Sequence, residues 1–420
     1  MKPDQNTAPE PYHVFAPAWM ILVASTIGMG LGFGVTSSFS VFMAPLEQEF
    51  GWSRAEMSFA YTLMTIGMAG GGLLWGRLAD SRHLRSVVVL GALVLGTGLV
   101  VAARIETSLE LQAISFILGA AGFACLFAPL ASVVGLWFER RRGLAIGILT
   151  AGGALGQGLV PLVMEWGIAA LGWRSAYLWS GIAYLVILVP LMALITRPAK
   201  TVSGQTPPPG GAAGWALPPR ASTAWLSTAA FFCCFCMAVP LVHVVPLMCH
   251  QGHTPATGAG ILFTIMAVGA AGRIAIGMLA DRIGALPAYM FASLLQTLTV
   301  FWFVSTPEMA IIIPLAIVFG FGFAGNMTSL ILAVREAVPA GYVGRSTGIV
   351  GMIAWLGMGA GGYVSGWLYD VTGSYAGSFA LAAAAGAANL LTLVLLARLK
   401  NAQAPLRYTP SAPLVSGVTR

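Results

Sequence analysis

The sequence predicts an all-α membrane protein, with twelve transmembrane helices in two pseudo-symmetric six-helix bundles. Three observations carry this prediction. First, hydrophobic residues make up 58% of the 420 positions and charged residues 8%, whereas a soluble globular chain carries roughly 25% charged residues. The mean hydropathy of +0.84 agrees. Second, the apolar residues fall in long unbroken runs, and a helix needs roughly 20 apolar residues to cross a bilayer core of about 30 Å. Lipid leaves open backbone groups unsatisfied, so only helices and closed barrels span it. These runs lack the alternating short segments of a barrel. Third, the second half of the chain repeats motifs of the first.

Residues 1–16 are polar and lack the basic start and short apolar core of a signal peptide, so they are expected to form an N-terminal tail. Apolar runs at 18–43, 55–76, 87–104, 110–137, 143–168 and 174–196 make a first bundle over 17–197. A polar stretch over 198–223, with Pro207, Pro208, Pro209, Gly210 and Gly211, is expected to be a linker. Runs at 224–247, 257–280, 287–304, 310–333, 344–368 and 376–397 make a second bundle over 224–397, and 398–420 form a polar tail. With both termini cytoplasmic, 17 of the 21 Lys and Arg residues fall on the cytoplasmic side, Arg140, Arg141 and Arg142 among them. Arg54, Arg104 and Arg174 fall outside, and Arg273 lies within a span. Positive charge on short loops marks the cytoplasmic face, and an inner membrane is the expected location.

The halves repeat with an offset of about 200 positions. Gly76-Arg77-Leu78-Ala79-Asp80 after the second span recurs as Gly277-Met278-Leu279-Ala280-Asp281 after the eighth, and Gly122-Phe123-Ala124 in the fourth recurs as Gly322-Phe323-Ala324 in the tenth. Two parallel repeats of this kind rock against each other around a midplane site. The 52 glycines suit close helix packing in lipid. Cys125, Cys233, Cys234, Cys236 and Cys249 lack metal spacing and are expected to be small buried residues. No basic stripe on a soluble domain suggests nucleic-acid binding.

These motifs identify a resemblance. The Gly-x-x-x-Asp loops at Gly76 and Asp80, and at Gly277 and Asp281, resemble the major facilitator superfamily signature. Phe39-Ser40-Val41-Phe42, Ser53-Arg54-Ala55-Glu56 and Trp137-Phe138-Glu139-Arg140-Arg141-Arg142-Gly143 resemble the monocarboxylate transporter family. The last block is also similar to the related oxalate/formate antiporters. The resemblance implies the major facilitator fold, a monomer, a small organic acid as substrate, and a proton or a counter-substrate as its partner. It further implies that Arg273, in Gly272-Arg273-Ile274, holds the substrate carboxylate. Three departures matter. Gly269 stands where animal members have an aspartate, Ser37 where they have a lysine, and Phe127 where bacterial relatives often have a tyrosine two residues before a proline, here Pro129.

From the residues themselves, Arg273 is the strongest signal. It lies eight positions from Asp281, roughly 12 Å at 1.5 Å per residue, where an unpaired charge costs several kcal/mol unless it faces a wet cavity. One deep cation suits a substrate with one negative charge. His243, between Pro240 and Pro246, and Glu165, near the outer end of the fifth span, are the candidate proton carriers. The two prolines suit a discontinuous helix lining a cavity. Asn326, Thr328, Ser37, Ser38 and Gln157 are candidate hydrogen-bonding partners for substrate, with interhelical bonding as the alternative. Tyr61, Phe127 and Trp355 are candidate cavity walls. Gly76, Asp80, Arg82, Gly277, Asp281 and Arg282 are expected to form a cytoplasmic gate. There is no Gly-rich phosphate cradle, catalytic triad or zinc spacing, so neither ATP-driven transport nor an enzyme is expected, and no cofactor. The sequence therefore points to proton-coupled symport of a monocarboxylate by alternating access. Anion exchange of the oxalate/formate type is the alternative, and drug efflux a more distant one.

Overall fold

The structure is a computed structural model that describes residues 15–79, 83–138, 142–196, 215 and 217–402. Among the described residues twelve long helices follow one another: α1 Phe15–Phe50, α2 Arg54–Ala79, α3 Leu84–Ala102, α4 Ser108–Trp137, α5 Arg142–Leu171, α6 Trp173–Ala193, α7 Pro219–His250, α8 Pro255–Ile283, α9 Ala285–Val304, α10 Met309–Ala337, α11 Val343–Thr372 and α12 Ala376–Ala402. Eleven are long and apolar enough to cross a membrane by length and composition. The twelfth, α2, has 26 residues with Arg54 and Glu56 in its first turn. No strand occurs among the described residues.

Several boundaries differ from the sequence reading, each for a local reason. Helix α1 continues to Phe50, past the apolar run that ends at 43 and through Pro45. Helix α7 starts at Pro219, inside the expected linker. Proline suits the first turn of a helix, where its missing N–H would have no partner. Ser222 and Thr223 give this stretch its polar look, yet both are buried, and Thr223 hydrogen-bonds Ser346 on α11 at 2.8 Å. Just upstream, the Trp215 N–H donates to the Ala337 carbonyl, and its ring lies under the Lys400 ammonium at 4.7 Å. Pro240 and Pro246 do not interrupt α7, which runs unbroken to His250, so the expected discontinuous helix is not found. Helix α4 instead carries the irregularity: Leu118–Phe123 form a π turn in its middle. Such turns insert one residue and re-aim the side chains beyond it.

The repeat extends to the contacts. A methyl group on Gly119 of α4 would strike the Met64 carbonyl of α2, and one on Gly320 of α10 would strike the Ile265 carbonyl of α8. Gly71 and Ala120 form a second such pair, matched by Gly272 and Phe321. Gly30 and Gly156 form a third, matched by Phe231 and Gly357. Every member of the second set lies 201 positions after its counterpart. Without a hydrophobic force between helices in lipid, such close backbone approach is what holds them together.

The halves meet at the end where α1 stops and α2 starts. There α11 lies along α2, with Gly366 against Ser58, Gly362 against the Tyr61 ring and Gly359 against Thr62 and Thr65. At the other end, which bears the chain joining the halves, α2 and α11 part. Leu74 is 55% exposed and Ile349 37%, and the α11 glycines Gly344 and Gly351 face open space. The halves thus part at the end where α6 stops and α7 starts, and meet on the far side.

Candidate functional site

Arg273 stands on α8, between the two halves. Its Nη1 donates to the Thr150 carbonyl on α5, in the other half, at 2.8 Å. Its Nε is buried without a hydrogen-bond partner. The two ion pairs found among the described residues are Arg54–Glu47 and Arg174–Glu49. Arg273 is in neither, so no described carboxylate balances it. A guanidinium offers five N–H donors in a planar fork that matches a carboxylate. Here one is bound to a neutral carbonyl. Helices α5 and α8 come this close because Gly158 packs on Phe263 and Met266.

Four aromatic rings stand nearby. Phe33 of α1 contacts α5 at Gly153, one turn from Thr150. It meets Phe123 edge-on at 4.8 Å between ring centroids and Phe127 at 5.7 Å. Phe123, the last residue of the π turn, and Phe127, four residues further along α4, stack at 5.5 Å. Trp355 of α11 closes on both from the other half, at 5.7 and 6.4 Å. Phe127 touches both halves and is still 37% exposed, so it is exposed into the space between them.

The far side is closed by a cluster in which Arg54 is central. Arg54 is 9% exposed although it starts a helix. Its Nε pairs with Glu47 at 3.2 Å, its Nη1 donates to the Tyr375 hydroxyl at 2.5 Å, and its guanidinium lies over the Tyr369 ring at 3.7 Å. Asp370, in the last turn of α11, accepts from the N–H groups of Arg54 and Ala55 at 3.0 and 2.7 Å. It therefore caps a helix of the opposite half. His243 is fully buried behind this cluster, with Nε2 at 2.9 Å from the Gly362 carbonyl and Nδ1 at 3.4 Å from the Tyr375 hydroxyl. His250 approaches the Tyr369 hydroxyl at 3.2 Å.

The residues singled out by sequence scatter over three places. Arg273 and the Phe127–Trp355 ring pair each bridge the two halves, through Thr150 and through the ring contact. Tyr61 and His243 belong to the closed far side, where Tyr61 packs on Phe39 and Gly362. Glu165 is buried on α5 at that same end and joins no ion pair among the described residues. Asn326 is fully buried within its own half. It receives a hydrogen bond from Ser293, gives one to Gln296, and is linked through Ser293 to Asn389. That network stitches α9, α10 and α12 together and engages both ends of the Asn326 amide inside its own half. Ser37 and Gln157 are buried, Ser38 bonds the Gly34 carbonyl, and Thr328 the Ala324 carbonyl. Gly76 lies in α2 and Gly277 in α8, while Asp281 and Arg282 are exposed at the end of α8. Asp80 and Arg82 lie outside the described residues. The five cysteines are free.

Sequence reasoning missed Arg54 and Asp370. One signal was available: an acid in the last turn of a helix opposes the helix dipole, which makes Asp370 a misfit in α11 unless it serves another helix.

The comparisons with known proteins agree with this architecture. The chain matches the Major Facilitator Superfamily over residues 18–360 and 226–416. It is 28% identical over 375 residues to monocarboxylate transporter 11 of Mus musculus, covering 86% of this chain and 83% of the relative. It is 27% identical over 393 residues to monocarboxylate transporter 13 of Rattus norvegicus, covering 89% and 88%. Among solved structures, a bacterial homolog of the human lysosomal transporter Spinster, in an inward-facing and occupied conformation, superposes with a TM-score of 0.70. That match has 15% identity and covers 94% of this chain and 97% of the other. With two repeated six-helix bundles and a sequence match over nearly its whole length, the chain belongs to the Major Facilitator Superfamily, whose members are transporters and not enzymes.

Proposed function

We propose that this protein is a secondary active transporter of a small organic monoanion, a monocarboxylate, working by alternating access with a proton as the coupled ion. The single observation that carries the proposal is Arg273. It is a cation between the two halves, bound to one carbonyl, with a buried Nε left unpartnered and no described acid to balance it. An anion entering the cavity supplies the missing charge. The monocarboxylate transporters among its relatives support the same class.

In the proposed cycle the anion pairs with Arg273 and neutralises it, which lowers the cost of closing the cavity around a charge. The far-side cluster of Arg54, Asp370 and Tyr375 then opens or re-forms as the halves rock. If the joining chain is cytoplasmic, as the distribution of Lys and Arg supports, the present conformation faces inward. His243 and Glu165 are the proton-carrier candidates. Both are buried on the far side, where opening would expose them to the outside. Glu165 in particular is a carboxyl without a cation, whose charge a proton can cancel.

The test is uptake of labelled monocarboxylates into proteoliposomes, with and without an inward proton gradient. Uptake that rises with the gradient and disappears in Arg273→Ala, at unchanged monodispersity and melting temperature, is expected. Near-normal uptake by Arg273→Ala would remove the basis of the proposal. Uptake that ignores pH but needs internal acid would replace symport with exchange.

A further inference from the structure

We propose that the carboxylate taken by this site carries an aromatic ring, and that Phe33, Phe123, Phe127 and Trp355 form the pocket that selects it. This rests on the assignment of Arg273 as the carboxylate-binding group.

Three observations lead there. The first is adjacency. Arg273 reaches Thr150, and Phe33 meets the same helix one turn away at Gly153, so the cation and the first of the rings lie within one turn of each other on α5. The second is open space in the right place. Gly147 lies one turn before Thr150 on α5, and Gly351 one turn before Trp355 on α11; a methyl group built on either meets nothing within 4 Å. Residues three or four apart share a helix face, so both glycines leave room beside the groups that would hold a ligand. The third is the polarity of the walls. Phe123 and Phe127 are stacked with an interplanar angle of 16°, and Trp355 meets them at 78° and 86°. Phe127 offers its remaining exposed surface to the cavity. A flat ring fits this arrangement by stacking on Phe127 or meeting it edge-on, the geometries aromatic pairs prefer.

The same walls disfavour a short hydroxy acid. Thr150 has its own hydroxyl bonded back to its helix, at 3.0 Å from the Ile146 carbonyl. Asn326 has its amide engaged inside the second half. A hydroxyl laid against phenylalanine rings would lose its hydrogen bonds to water without replacement, which is costly. The pocket thus provides a charge partner and apolar flat surfaces, the complement of a benzoate- or phenylacetate-like ion.

The experiment is equilibrium binding of radiolabelled benzoate, cyclohexanecarboxylate and lactate to the purified full chain in detergent, followed by Phe127→Leu, Trp355→Leu and Arg273→Ala. Benzoate is expected to bind tightest, with a roughly threefold to tenfold preference over cyclohexanecarboxylate, the worth of one good aromatic pair. Phe127→Leu and Trp355→Leu are expected to erase that preference, and Trp355→Phe to restore most of it. Equal binding of the three acids by the unaltered protein, or a preference for lactate, overturns the aromatic pocket even if the variants fail to fold. In that case, Arg273-dependent binding would keep the monocarboxylate reading intact. Benzoate binding that survives Arg273→Ala overturns the reading of Arg273, and the proposal with it.

Discussion

Removing the Asp370 carboxylate is expected to open the far side. Its two oxygens accept from the N–H groups of Arg54 and Ala55 across the boundary between the halves. These are among the N–H groups that a helix start leaves without internal partners. Loss of a side-chain cap costs about 0.5–2 kcal/mol. Because Asp370 is exposed to solvent, about 1 kcal/mol is the fitting value. In Asp370→Ala that weight is lost only from the closed state, so the ratio of far-side-open to far-side-closed molecules should rise about fivefold. Arg54→Ala removes more: a largely buried guanidinium over Tyr369, its pair with Glu47 and its bond to Tyr375. Cation–π contacts of this kind are worth about 2 kcal/mol when desolvated, so the shift should exceed tenfold. Asp370→Asn keeps an acceptor and relieves the acid at the end of α11, and should lie between Ala and the unaltered protein. The assay is pulsed electron paramagnetic resonance between spin labels on Leu109 and Trp302. Both lie on the far side, one in each half, and are 71% and 54% exposed. A distance distribution unchanged in Asp370→Ala and Arg54→Ala would refute the latch.

Three further outcomes follow from other parts of the molecule. Gly119→Ala and its counterpart Gly320→Ala each push a methyl into a facing carbonyl; overpacking costs about 1–3 kcal/mol, so both should lower the melting temperature in detergent by a similar amount. Asn326→Ala leaves Ser293 and Gln296 without a shared partner inside the second half; it should destabilise by about 1–3 kcal/mol while ligand binding per folded molecule, measured on the monodisperse fraction, stays constant. Glu165→Gln should retain ligand binding and flatten the dependence of uptake on external pH; a pH profile that keeps its shape would exclude Glu165 as the proton carrier and leave His243.

The parts of the molecule legible in the sequence are those with local causes. Span length and hydropathy follow from the bilayer, and the depth of Arg273 follows from counting residues to Asp281. The π turn in α4 left no comparable trace. Its six residues, Leu-Gly-Ala-Ala-Gly-Phe, are as apolar and as rich in small residues as the rest of the helix, yet the turn ends on Phe123 itself and precedes Phe127. The far-side cluster was equally hidden. Arg54 and Asp370 are 316 positions apart, and each alone looks like a solvated charge at a helix end. His243 was visible as a histidine inside a span, but the prolines around it suggested a broken helix. In the structure its ring packs instead on Gly362, where the bare backbone of α11 lets the imidazole reach a carbonyl.

The repeat itself separates scaffold from function. Positions that set helix spacing recur after 201 residues: Gly119 with Gly320, Gly71 with Gly272, Gly156 with Gly357. Close backbone approach is needed equally in both halves, so both carry it. The charged and aromatic groups of the cavity and the far side do not recur. Counting back 201 positions, Arg273 corresponds to Gly72, Asp370 to Ala169, His243 to Phe42 and Trp355 to Ala154; counting forward, Phe127 corresponds to Thr328 and Arg54 to Pro255. One anion needs one cation, and a latch needs unlike partners on its two sides. A symmetric arrangement would place a second arginine beside the first and raise the charge penalty that the substrate relieves. In a chain built from two like halves, a polar or aromatic residue that breaks the repeat at the interface is therefore a stronger functional signal than one that obeys it. By that criterion Arg54 and Asp370 rank with Arg273, even though the sequence alone gave them no partner.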